Sequence, residues 1–216
     1  MSKVTKLAQP AKLTLKKSGT IATFASLIET YQVEGHEALN AQLRNEIAAW
    51  RESEEGIQAS NFNGWHSDVT MFSRPEPGFR QLSEILRQCI LSYVRRYETD
   101  FDPAKRQIGM EAWVNVNGKS GMNAPHHHAF AHISGCYYIS VPKATTRTSG
   151  VLQFLSPLVT FAPPGKFGLK ILPSHYDIRP EEGQIVLFPS YLVHWVHPND
   201  EDEDRISIAV NAQVRD

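Results

Sequence analysis

The sequence predicts a mainly β fold, a β-sandwich or jelly-roll barrel with α-helices packed outside one sheet. Two observations carry that expectation. Apolar residues recur at three- and four-residue steps within the first hundred positions, and from Met110 onward they recur at every second position. Helices followed by many short strands, separated by Pro, Gly and acidic turns, build a layered or barrel fold rather than an alternating βαβ one. With 216 residues, 41% hydrophobic and 21% charged, the chain can bury one core of useful size. One domain over 1–216 is expected: a basic arm at 1–20, mainly helical support at 21–108 and the jelly-roll core at 109–216.

In the arm, Lys3, Lys6, Lys12, Lys16 and Lys17 precede any acidic residue. The segment lacks arginine and a signal-peptide apolar core, so it reads as a solvated or partner-contacting arm. Leu39, Leu43, Ile47 and Trp50 then mark an amphipathic helix over 36–50. A second helix over 79–97 carries Leu82, Ile85, Leu86, Cys89, Ile90, Tyr93 and Val94, opened by Pro75-Glu76-Pro77-Gly78. Gly64-Trp65-His66-Ser67 falls in the linker between them, where His66 is either a pocket wall or a structural hydrogen-bond donor.

The first strand alternates Met110, Ala112, Val114 and Val116 with Glu111, Trp113, Asn115 and Asn117. Further strands are expected at 132–141, 151–155, 175–178, 184–188 and 205–214. Between two of them, residues 156–173 contain Pro163-Pro164-Gly165 and Gly168, and read either as an active-site lid or as an idle hairpin insertion. In the last strand Ile206, Ile208, Val210, Ala212 and Val214 form one face, and Arg205, Ser207, Ala209, Asn211 and Gln213 the other. The apolar face packs on the helices, so the polar face lines the interior of the barrel, the candidate site.

Composition narrows the function. A formal net charge of -1 gives no reason to expect nucleic acid or an anionic membrane as partner. No stretch approaches the roughly 20 apolar residues of a spanning helix. Cys89 and Cys136 show no CxxC spacing and fit buried thiols in a reducing, cytoplasmic setting. A homo-oligomer is compatible with all of this.

The histidines point to a metal. His126-His127-His128 follow Pro125 in a loop before a strand, and His194 lies in the loop after Phe188-Pro189. Loops from non-sequential strands meet at one barrel rim. On an extended segment His126 and His128 point the same way and His127 the opposite way, so an H-x-H pair can chelate one ion with His194 as third ligand. His197 competes for that third place. Three ligands leave positions open, as in mononuclear iron oxygenases, which more often use two histidines and one carboxylate. Arg205 follows the acidic turn at 200–204 and either pairs with it or offers a bidentate contact to a bound carboxylate, with Ser207 on the same face. Of Trp113, Asn115 and Trp195, at least one should line the pocket.

Gly64-Trp65-His66-Ser67, the H-x-H followed by Ser134-Gly135-Cys136-Tyr137-Tyr138, Phe188-Pro189-Ser190 leading to His194, and Arg205-Ile206-Ser207 closing on Asn211 resemble the 2-oxoglutarate/Fe(II)-dependent oxygenase superfamily. The resemblance is to an uncharacterised bacterial and phage branch related to the prolyl hydroxylases. It covers about 61–211 and implies a double-stranded β-helix, Fe(II), and 2-oxoglutarate as cosubstrate. It maps His126 and His194 onto the metal ligands, Arg205 and Ser207 onto the far carboxylate of 2-oxoglutarate, and Tyr138 onto the tyrosine that helps hold it; Asn115 is grouped with these. His128 stands where most members carry a carboxylate, so it is either a third ligand or a neighbour of one, and Asp177 could be recruited instead. The activity implied is hydroxylation of a small-molecule or peptidyl substrate with O₂. A rival reading is a cupin-like metalloprotein, an isomerase, thiol dioxygenase or sensor, that needs no buried arginine.

Overall fold

The structure is a computed structural model that describes residues 26–157 and 174–215. The basic arm and nearly all of the loop expected at 156–173 lie outside the described residues. In chain order the elements are β1 (Glu29–Gln32), α1 (His36–Ser53), β2 (Asn61–His66), a 3₁₀ turn (Met71–Ser73), α2 (Pro77–Tyr97), β3 (Gln107–His126), β4 (Ile133–Ser140), β5 (Leu152–Leu155), β6 (His175–Ile178), β7 (Gln184–Pro189), β8 (His194–Val196) and β9 (Arg205–Arg215).

Both expected helices form where their apolar stripes predict. Leu39, Leu43, Ile47 and Trp50 are the buried apolar stripe of α1, and Phe79, Leu82, Leu86, Ile90, Tyr93 and Val94 that of α2. α2 begins with Pro77, whose fixed φ suits a first turn. Its next two amides would be unsatisfied, but Gly78 N and Phe79 N donate to the Glu46 carboxylate of α1 at 2.9 and 3.1 Å. One side chain thus caps α2 and locks the helices together.

The strands form an antiparallel sheet with the path β1-β7-β4-β9-β3-β8-β5-β6, and β2 pairs with β3. β3 is the spine. Its first half pairs with β9 from Gln107↔Arg215 to Asn117↔Arg205, and its far end pairs with β8 at His126↔His194. Between the halves the chain bends through Ser120 at φ 61 and a register shift against β2. This is the mainly β, jelly-roll architecture with flanking helices that the period change predicts, in the double-stranded β-helix form that the resemblance implies.

The expected faces of β9 and β3 are observed. Ile208, Val210 and Ala212, with Ala112, Val114 and Val116, join α1 and α2 in one apolar core. Tyr138, Leu152, Phe154, Val186, Phe188 and Val196 form a second cluster on the interior side. Each fully buried aliphatic side chain contributes about 1.5–3 kcal/mol.

Three strands go beyond the sequence reading. β1 was not anticipated, the Gly64-Trp65-His66 stretch expected as linker belongs to β2, and His194 expected in a loop opens β8. β2 reads Asn-Phe-Asn-Gly-Trp-His and has no two-residue apolar period; its extended state comes from pairing with β3. β3 also runs on to His126, so the histidine triplet begins on a strand end rather than in a loop.

Candidate active site

His126 closes β3 and His194 opens β8, directly across the ladder, with ring centroids 4.4 Å apart. His128, two residues on, is held by its backbone N–H, which donates to Ser190 O at 3.0 Å. Its ring centroid lies 5.0 Å from that of His126 and 5.2 Å from that of His194. One ligand nitrogen from each of the three rings lies within 4.8 Å of the others, a grouping that can hold a metal ion. His127 is exposed and lines a different cleft, beside Tyr93, Tyr97 and Tyr191.

The rings are chemically prepared as well as close. His126 Nδ1 donates to Ala124 O at 2.7 Å and His194 Nδ1 donates to Leu192 O at 2.9 Å. A carbonyl oxygen only accepts, so each Nδ1 carries the proton and each Nε2 keeps its lone pair. Burial disfavours the imidazolium: it holds His194 down to about 3 and His128 to about 4, with the neighbouring histidines pushing the same way. His126 is lowered too, first by desolvation. Phe188 and Phe154 pack on His194, at 4.7 and 6.0 Å between centroids.

A cavity of about 410 Å³ joins this cluster to the polar face of β9 and β3. Arg205 lines it at 2% exposure, giving Nε to Gly150 O at 3.2 Å and a terminal nitrogen to Ser207 Oγ at 3.3 Å. Its guanidinium lies over the Tyr138 ring at 5.1 Å. The acidic turn does not claim it: Asp204 pairs with Arg51, Asp202 with Lys119, and Glu201 accepts from Thr145. None of the described ion pairs includes Arg205, and a buried cation without a counter-charge costs several kcal/mol, which an anionic ligand would offset.

Ser207, Tyr138 and Asn115 all line the same cavity. Asn115 stands opposite Ser207 on the β3–β9 ladder, as does Tyr138 on the β4–β9 ladder. Burial raises the Tyr138 phenol far above its ordinary range, so it stays a neutral hydroxyl, and the Cys136 thiol, pushed up to about 11 by burial, donates to it. Trp113 lines the pocket, its ring 5.7 Å from that of His128 and stacked at 5.6 Å on His66. His66 fills both expected roles, wall and donor, with Nδ1 bonded to Ser67 O at 2.6 Å.

Other candidates are not brought to the site. Trp195 turns outward, bonding Gln153, and His197 stacks on it at 3.9 Å, away from the three-histidine group. Asp177 sits exposed on β6, bonded to Gln153. Parity explains this for Trp195, which faces opposite to His194 on β8, and His197, one residue past the end of β8, stacks on Trp195.

Sequence reasoning passed over Glu111, Gly150 and the wall formed by Ile57, Ala59, Ser60 and Val69. Glu111 shares the parity of Trp113 and Asn115 and was legible from the alternation. Gly150 was not: its φ of +64° and the 3.1 Å that a Cβ would leave to Arg205 Cδ exist only in the fold.

Residues 111–211 match the family described as "Putative 2OG-Fe(II) oxygenase". Among solved structures the chain is similar to a Pseudomonas putida prolyl-4-hydroxylase, with 13% identity, TM-score 0.59, and 86% of this chain and 91% of that one covered. It is also similar to HygX from Streptomyces hygroscopicus, crystallised with nickel and 2-oxoglutarate, at 12% identity and TM-score 0.57 over 86% of this chain and 82% of that one. A viral collagen prolyl hydroxylase from Paramecium Bursaria Chlorella virus-1 gives 12% identity and TM-score 0.54 over 86% and 94%. None of the curated proteins matches. At these identities the solved structures speak for the fold, and the family match spans every residue of the three-histidine group together with Arg205 and Ser207. By that match over 111–211 and by the shared fold, the chain is similar to the 2-oxoglutarate/Fe(II)-dependent oxygenases.

Proposed function

We propose that this chain is a 2-oxoglutarate-dependent hydroxylase of a small-molecule or peptidyl substrate, that Fe(II) is held at the group of His126, His128 and His194 with His126 and His194 as its constant ligands, and that 2-oxoglutarate is held through Arg205 and Ser207. The observation that carries this reading is Arg205, a buried cation with no described counter-ion, in one cavity with three neutral imidazoles. Neutral nitrogen donors grouped within 4.8 Å suit a divalent ion, and the open cavity beside them suits a chelating acid. We further read the chain as a single cytoplasmic domain; no helix among the described residues is long and apolar enough to cross a membrane.

Bound Fe(II) and 2-oxoglutarate supply O₂ activation coupled to decarboxylation to succinate and CO₂. The chain's own residues bind, orient and dry the site. Arg205 offers a fixed fork for the distal carboxylate, and Gly150 O and Ser207 Oγ stop that fork from turning. Tyr138 stacks under the guanidinium and adds a neutral hydroxyl, while Asn115 stands across the ladder from Ser207. Leu152, Phe188 and Val196 form the apolar wall that limits water. On the open side, Ile57, Ala59, Ser60, Val69, His66 and Trp113 surround the place left for substrate.

The test is anaerobic titration of the full chain with Fe(II) and then 2-oxoglutarate. The expected result is a visible charge-transfer band that appears only with both, and succinate formation once O₂ is admitted. Iron binding without the band, with full activity in Arg205→Ala, would instead indicate a cupin-like metalloprotein that does not use 2-oxoglutarate.

A further inference from the structure

His128 differs from the other two imidazoles in what meets its Nδ1. His126 and His194 give that nitrogen's proton to backbone carbonyls, whereas His128 Nδ1 lies 3.3 Å from Nδ2 of Asn211. The orientation of the Asn211 amide follows from its other neighbours. Its Oδ1 accepts from Ser134 Oγ at 2.8 Å, and its Nδ2 donates to Oε1 of Glu111 at 3.1 Å. A carboxylate oxygen only accepts, so a turned amide would set its carbonyl oxygen against Glu111. Nδ2 has two hydrogens, one for Glu111 and one for His128. An imidazole that accepts at Nδ1 carries, when neutral, its proton at Nε2.

Resting on the metal site proposed above, we propose that Glu111 is a positioning residue that acts through Asn211 to hold His128 with an N–H, rather than a lone pair, toward the metal. While Glu111 holds the amide, His126 and His194 bind the ion and His128 donates to an oxygen ligand in the third place. His128 becomes a ligand when the carboxylate releases Asn211, whose amide then turns to accept from Nδ1–H. Glu111 and Asn211 face each other on the β3–β9 ladder; Glu111 is exposed, while Asn211 is buried. The arrangement also sets one negative charge behind a ligand group that has none of its own.

The experiment is a cobalt(II) titration of the full chain, followed by calorimetry and visible absorption, for wild type, H126A, H194A, H128A, E111L and the E111L/H128A double variant, since leucine leaves Asn211 no acceptor at position 111. H128A should weaken cobalt binding by less than about threefold in wild type but by about tenfold in the E111L background, the size of effect that groups orienting metal ligands exert. The ligand-field band of E111L should change as an imidazole nitrogen joins. Loss of the Glu111 charge is common to both arms of the cycle and cancels. An equal cost of H128A in both backgrounds, or an unchanged band in E111L, overturns the proposal. If wild type binds no stoichiometric cobalt, or H126A and H194A bind it as tightly as wild type, the metal site itself is overturned.

Discussion

Arg205 spends two of its nitrogens on protein acceptors at 3.2 and 3.3 Å, and it lines the cavity as a full charge. A hydrogen bond to a charged partner is worth about 1.5–3 kcal/mol, so Arg205→Ala should weaken 2-oxoglutarate binding by about 10- to 100-fold. Metal affinity without cosubstrate should hardly change. Arg205→Lys should restore little, because an ammonium has no planar fork. Titration of the charge-transfer band in each variant measures all three. His194 and His128 set a second behaviour, the acid sensitivity of the metal-free protein. Their folded values are held down to about 3 and about 4 from an ordinary 6.5. Above pH 6.5 neither folded nor unfolded chain protonates them, and they leave stability unchanged. Below it the unfolded chain takes up protons that the folded chain refuses, so stability falls as pH falls toward 4 and then 3. Melting temperature of the metal-free chain should drop between pH 7 and pH 5, and His194→Gln should flatten the drop. A pH-independent difference between the two proteins would count against this account.

At the scale of the element, β9 separates stability from binding by parity. Ile208 is fully buried against the helices, and Ile208→Ala should cost about 2–5 kcal/mol in denaturant unfolding while leaving the polar face in place. Ser207→Ala should do the reverse, with little change in unfolding and weaker 2-oxoglutarate binding. A register slip of one residue would exchange these outcomes, so the pair of variants tests the strand's facing directly. Gly150 joins both effects. A Cβ there would lie 3.1 Å from Arg205 Cδ on a backbone at φ +64°, so Gly150→Ala should cost about 1–2 kcal/mol and displace the arginine. Thermal melts and cosubstrate titration of this variant should therefore both shift; a shift in the melt alone would show that Arg205 adjusts freely.

At the scale of the whole molecule, the three histidines from β3, β8 and the turn after β3 meet only when the sheet is complete. Metal and cosubstrate should bind the folded state and not the unfolded one. At a hundredfold excess over the dissociation constant, such binding adds about 2.7 kcal/mol, read as a rise in melting temperature. Cobalt(II) with 2-oxoglutarate should raise it further than cobalt(II) alone in wild type, and by the same amount as cobalt(II) alone in Arg205→Ala.

Amino-acid order alone determined the helices, the strand faces and the candidate residues, because each follows from a short-range period: 3.6 residues for α1 and α2, and two for β3 and β9. It also marked out His126, His128 and His194 by residue type and place in the strand pattern, and Arg205 mainly through the resemblance to the oxygenase superfamily. Only tertiary structure decided what those side chains meet. β2 is a strand because β3 lies beside it, His197 is excluded because β8 turns it outward, and Arg205 escapes the acidic turn because Gly150 O and Ser207 Oγ hold it inside. The Asn211 amide that reads Glu111 on one side and His128 on the other joins residues 100 and 83 positions apart. Hydrogen-bond direction across such distances depends on the finished sheet, and a one-dimensional pattern carries no record of it.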